Sequence, residues 1–145
     1  EELEKLLNKK LPLTNLTDTI SGSWEDSARI QYKDADIKLS FVRTPTMTID
    51  SFYLRITGME TSNRMWKTKE GVGIGSGKQQ IINAFFDNYV LFMGPDYADT
   101  TYTTRSKTHY IVKVREDREG KEIVFYLKDN KVYAIGVGAF YDDEE

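Results

Sequence analysis

The chain has 145 residues, no cysteine, and 20 basic against 23 acidic residues for a formal net charge of −3. That length suits a single domain spanning 1–145, which buries roughly 70% of its unfolded surface and needs no disulfide or metal to hold it. Without cysteine there is no thiol nucleophile, thiolate zinc site or iron–sulfur cluster, and an acid-leaning chain without a basic stripe argues against a nucleic-acid partner.

Glu2–Lys9 sets Leu3, Leu6 and Leu7 at helical spacing among charges, predicting a short N-terminal helix that Pro12 ends. Residues 14–24 are rich in Thr, Ser and Gly and read as loop with room for one strand. From Ala28 the period becomes two. Ile30 and Tyr32 alternate with Arg29, Gln31 and Lys33, a turn is expected at Asp34-Ala35-Asp36, and Ile37, Leu39 and Phe41 alternate in return. The two runs predict a hairpin. A third strand is expected after Pro45, with Phe52, Leu54 and Ile56 on one face, and Arg64–Thr68 should add a short strand carrying Met65 and Trp66.

Gly71, Gly73, Gly75 and Gly77 then bracket Val72 and Ile74 and lead into a helix. Ser76 is a suitable N-cap, and Gln79 completes a capping-box pattern. Ile81, Ile82, Phe85 and Phe86 form a broad apolar stripe, so a helix over about 76–87 should dock one face on a sheet. Asp87-Asn88 is expected to end it, with Asn88 in a left-handed position.

Tyr89–Met93 reads as a strand closed by Gly94-Pro95-Asp96, followed by a polar loop containing Tyr97, Asp99, Tyr102 and Arg105. Three further strands carry Tyr110, Val112 and Val114, then Ile123, Phe125 and Leu127, then Tyr133, Ile135 and Val137 on one face. Their short connections, Glu116–Gly120 and Asp129-Asn130, predict an antiparallel meander, since parallel strands need a longer crossover. The expected class is α+β: a mostly antiparallel sheet with one central short amphipathic helix packed on it and a short N-terminal helix. No apolar run approaches the ~20 residues of a membrane-spanning helix.

The pair Gly77-Lys78 invites a phosphate-loop reading. The Walker pattern would place glycine at Val72 and Ser or Thr at Gln79, and the dinucleotide pattern would place glycine at Ser76 or Lys78. Both fail, leaving glycines that let a strand bend into a helix. His109 is the single histidine, on a predicted strand opposite in face to Tyr110, and no serine nucleophile motif accompanies it. Asp34 with Asp36, and Asp96 with Asp99, lack the further oxygen ligands of a calcium loop and read as turn formers. No catalytic residue, metal site or cofactor is expected. Two Trp, nine Tyr and seven Phe are the mild excess. Of these, Trp24, Trp66, Tyr97 and Tyr102 fall in irregular stretches, and Trp66, Tyr97 and Tyr102, with Asp99, make the candidate binding surface, because amphipathic aromatics serve recognition well.

The run Gly73-Ile74-Gly75-Ser76-Gly77-Lys78-Gln79-Gln80-Ile81-Ile82-Asn83-Ala84-Phe85 resembles a pattern of small bacterial envelope lipoproteins, where a glycine-serine turn precedes a helix and a meander follows. Ile123–Leu127 and Lys131–Ile135 resemble the last two strands of that meander, and the helix-on-sheet unit resembles half of the beta-lactamase-inhibitor-protein fold. The resemblance implies an exported, lipid-anchored, non-enzymatic protein of the periplasm or cell surface. A chain opening at Glu1 also reads as a trimmed, mature form. The expected function is therefore an extracytoplasmic binding module for a protein or glycan of the cell envelope. The alternative is a hydrolase of glycan or cell-wall material, using carboxylates that folding brings together.

Overall fold

The computed structural model describes residues 5, 24–46, 52–95, 108–116 and 120–139. In chain order its elements are β1 (Trp24–Tyr32), β2 (Ala35–Pro45), β3 (Phe52–Thr61), α1 (Lys78–Phe85), β4 (Val90–Pro95), β5 (His109–Arg115), β6 (Lys121–Lys128) and β7 (Lys131–Ala139). The chain is thus mostly antiparallel sheet with one described helix, as its class predicted. The expected N-terminal helix lies outside the described residues, Lys5 apart. The chain divides into two compact units, Glu1–Met59 and Glu60–Glu145, with β3 running across the division.

Two turns of one kind set the strand registers. Lys33 and Asp34 both take positive φ, at 46° and 63°, and so do Asp129 and Asn130, at 49° and 65°. Positive φ at both central residues is type I′ geometry, whose twist matches that of the strands it joins. In the first unit this puts Tyr32 opposite Ala35, Ile30 opposite Ile37 and Ala28 opposite Leu39. The turn is therefore Lys33-Asp34, not the expected Asp34-Ala35-Asp36. Ala35 is the first residue of β2 and lies buried on the same face as Ile37, Leu39 and Phe41. Ile30 and Tyr32 pack against that cluster from β1. Arg29 and Asp36 meet at 3.3 Å on the outer face, an exposed pair that adds little stability.

In the second unit β7, β6, β5 and β4 lie in that order, each antiparallel to the next. Met93, Val112, Phe125 and Ile135 fall on one row across the four strands. Val112, Val114, Phe125 and Leu127 form the inward face, and α1 closes over it with Ile81 and Phe85. The Phe85 ring stands 5.5 Å from Tyr89 in a T-shaped contact and 5.9 Å from Phe125. The apolar stripe of α1 is narrower than expected. Phe85 is 1% exposed, whereas Phe86 is 70% exposed and Ile82 only half-buried. An eight-residue helix lying on a sheet can turn only about a third of its circumference inward, and that arc belongs to Ile81 and Phe85.

Three local expectations are corrected. Gly77, not Ser76, is the N-cap, and the side chain that reaches back is Gln80, whose Oε1 accepts from the Gly77 N–H at 2.8 Å. Gln79 instead bonds Asn83 one turn on, at 2.9 Å. The helix ends with the Phe85 carbonyl accepting from the N–H groups of Asn88 and Tyr89, and Asn88 is not left-handed. On β7, Leu127 faces Val132 while Tyr126 faces Ala134, so Tyr133 is an extra residue at a bulge. That step moves Tyr133 away from the face of Ile135, toward Tyr126, whose ring lies 6.3 Å off.

Phe85→Ala should cost about 3–5 kcal/mol, as for other fully buried aromatics, while Phe86→Ala should stay within about 0.5 kcal/mol; urea denaturation of both variants checks this. At the first turn, Lys33→Asn should raise the thermal midpoint and Lys33→Val should lower it by about 1–2 kcal/mol equivalent, because a β-branched residue resists positive φ.

Candidate functional site

Between β3 and α1 the backbone makes three successive turns, each closed by a hydrogen bond from residue i+3 to residue i. Trp66 N–H donates to the Asn63 carbonyl at 3.2 Å, Gly71 N–H to Thr68 at 2.9 Å, and Ser76 N–H to Gly73 at 3.0 Å. Side chains reinforce them. Asn63 Oδ1 accepts from Met65 N–H at 2.8 Å, which is an Asx turn, and Thr68 Oγ1 accepts from Val72 N–H at 3.3 Å. Ser76 Oγ accepts from Gly73 N–H at 3.0 Å, which is its real role in place of capping the helix. A bridge between Lys67 and Gly73 closes the middle turn into a small hairpin. The strand expected over Arg64–Thr68 is thus two turns and a bridge, because Asn63 and Thr68 draw the local backbone donors into turns.

The glycines in this stretch do different work. Gly71 and Gly75 take φ of 83° and 89° and stand in open space, so they are there for conformation. Gly73 is there for room. A Cβ on it would lie 2.7 Å from Lys67 Cγ and 2.9 Å from the Trp66 carbonyl oxygen. Its bare Cα is what lets the chain pass close behind Trp66.

What this scaffold presents is apolar and exposed. Met65 is 86% exposed and Trp66 45% exposed. Arg64, Lys67, Lys69 and Glu70 around them are exposed as well. Of the four residues expected to bind, Trp66 is therefore on a well-braced loop. Tyr97, Asp99 and Tyr102 lie outside the described residues. Met65, exposed beside Trp66, was not among the residues expected to bind, since an apolar residue beside a tryptophan reads as strand until the turn at Asn63 is recognised.

Other polar groups have plain structural partners. Glu122 on β6 accepts from Arg115 Nε at 2.9 Å and faces Lys113 Nζ at 3.6 Å, while the Arg115 guanidinium lies 4.7 Å over the Phe92 ring. That cluster ties β4, β5 and β6 together on the face away from α1. Tyr110 donates its hydroxyl to Asn130 Oδ1 at 2.8 Å, and burial pushes its phenol above the ordinary value. His109 Nδ1 lies 3.0 Å from the Thr108 hydroxyl. Among the described residues no group of three or more His, Asp or Glu could hold a metal ion, and no helix is long and apolar enough to cross a membrane.

Gly73→Ala should destabilise the second unit by about 1–3 kcal/mol and alter tryptophan emission, because the Trp66 carbonyl cannot yield like a side-chain end. Gly71→Ala should cost only about 1 kcal/mol, the penalty of a left-handed alanine. Guanidinium denaturation followed by fluorescence separates the two. Comparison of the chain with family models, with curated proteins and with solved structures returns no match.

Proposed function

We propose that the chain is a non-catalytic binding module of a bacterial envelope protein, working outside the cytoplasm and engaging its partner through the loop of Met65 and Trp66. One observation carries the reading: an apolar pair, Met65 at 86% and Trp66 at 45% exposure, stands on a loop closed by three hydrogen-bonded turns. Tryptophan and methionine are enriched at interaction surfaces relative to the rest of a protein's surface. A loop already ordered by its own hydrogen bonds loses little further entropy when a partner arrives. The location rests on the resemblance of Gly73–Phe85, Ile123–Leu127 and Lys131–Ile135 to envelope lipoproteins. A lipid anchor belongs to the same proposal, as does a partner from the envelope.

A photo-crosslinking amino acid placed at Met65 in cells making the native protein should give an envelope-fraction adduct. Trp66→Ser should reduce that adduct several-fold. Labelling at position 65 no stronger than at the exposed control Lys128 would sink the loop reading. Recovery of the native protein from the cytosol alone would sink the location.

A further inference from the structure

We infer that the Arg64–Lys69 loop docks on an anionic lipid surface, with Trp66 and Met65 entering the headgroup region and Arg64, Lys67 and Lys69 holding lipid phosphates. This rests on the reading of that loop as the binding surface, and it names the partner. The first argument is the kind of apolar side chain. Indole has an apolar body and one N–H donor, a combination suited to the boundary between acyl chains and headgroups. Met65, almost wholly exposed, adds an unbranched chain that adapts to an irregular medium.

The second argument is charge complementarity. The protein carries a formal net charge of −3, yet Arg64, Lys67 and Lys69 lie within six residues that contain no carboxylate, with Glu70 the next acid along. All three cations are exposed. They flank the apolar pair on both sides in the chain, so when Met65 and Trp66 enter the boundary, their long stems can follow while the charged heads stay level with phosphates. An exposed apolar pair flanked in the chain by exposed cations matches an anionic bilayer without demanding fixed donor geometry. An acidic protein surface, by contrast, is recognised best by a rigid bidentate arginine, and two of these three cations are lysines.

The backbone supports this role. The turns at Asn63–Trp66 and Thr68–Gly71 are each closed by a hydrogen bond, and Lys67 is bridged to Gly73. Within the loop from Asn63 to Ser76, the N–H groups of Met65, Trp66, Thr68, Gly71, Val72, Gly73, Gly75 and Ser76 all have partners inside the chain. With the N–H groups of Met65 and Trp66 both bonded to Asn63, the apolar pair can approach a low-dielectric layer without stranding its own backbone donors.

The test is sedimentation of the full chain with vesicles of phosphatidylcholine alone or mixed with phosphatidylglycerol. Trp66 emission is read in a Trp24→Phe background. Wild type should bind the mixed vesicles at least about tenfold better than the neutral ones, with a blue shift in emission and release by salt. The triple variant Arg64→Gln, Lys67→Gln, Lys69→Gln and, separately, Met65→Ser with Trp66→Ser should each lose about tenfold or more. Equal partition into neutral and anionic vesicles, or undiminished binding by either variant, overturns the inference. Should vesicles fail while position 65 crosslinks a protein, the lipid partner falls and the binding loop stands. The substituted side chains are exposed, so circular dichroism should match wild type in both variants.

Discussion

Val132 is the residue through which the second unit is assembled. Its carbonyl accepts from the Gly75 N–H at 2.8 Å, and its own N–H donates to the Ser76 carbonyl at 2.9 Å. With the bridge between Gly77 and Lys131, this pair fixes the glycine segment against the start of β7. Two consequences follow from one anchor. On the C-terminal side, α1 must begin at Lys78, which delivers Ile81 and Phe85 onto Val112 and Phe125. On the N-terminal side, the turns back to Asn63 are held at their far end, so the loop with Met65 and Trp66 is displayed from a fixed base.

A bulge on β7 directly follows that anchor. Val132 must keep its side chain in the core opposite Leu127 while its backbone serves the glycine segment. Tyr133 is then carried as one extra residue in the register, and the ladder resumes at Ala134 opposite Tyr126. A bulge turns a strand locally and increases its twist. Here it lets the Asp129-Asn130 turn keep its tight geometry while Ile135 returns to the core row.

Much of the sheet was legible in the sequence. Strict alternation in Ile37, Leu39 and Phe41 and in Val112 and Val114 reports a face buried on one side, and the short connections leave only antiparallel pairing. The helix was legible too, from Ile81 and Phe85. What alternation could not say was how wide the buried arc is. Phe86 is as hydrophobic as Phe85, and only the direction of approach to the sheet separates a core residue from one left in water. The candidate site was legible in part. Trp66 stood out by residue type and irregular surroundings, but Met65 and its cations were hidden by an expected strand.

The sequence by itself determined the class, the meander, and the failure of the glycine run to match either phosphate-binding pattern, because these depend on period, spacing and residue type. The tertiary structure decided what each glycine is for. Gly71 and Gly75 answer to φ, whereas Gly73 answers to the close approach of Lys67 and Trp66, six and seven residues away in the chain. It also decided that Met65 and Trp66 face outward. Exposure is a property of what surrounds a side chain, and in a turn no periodicity in the chain encodes it.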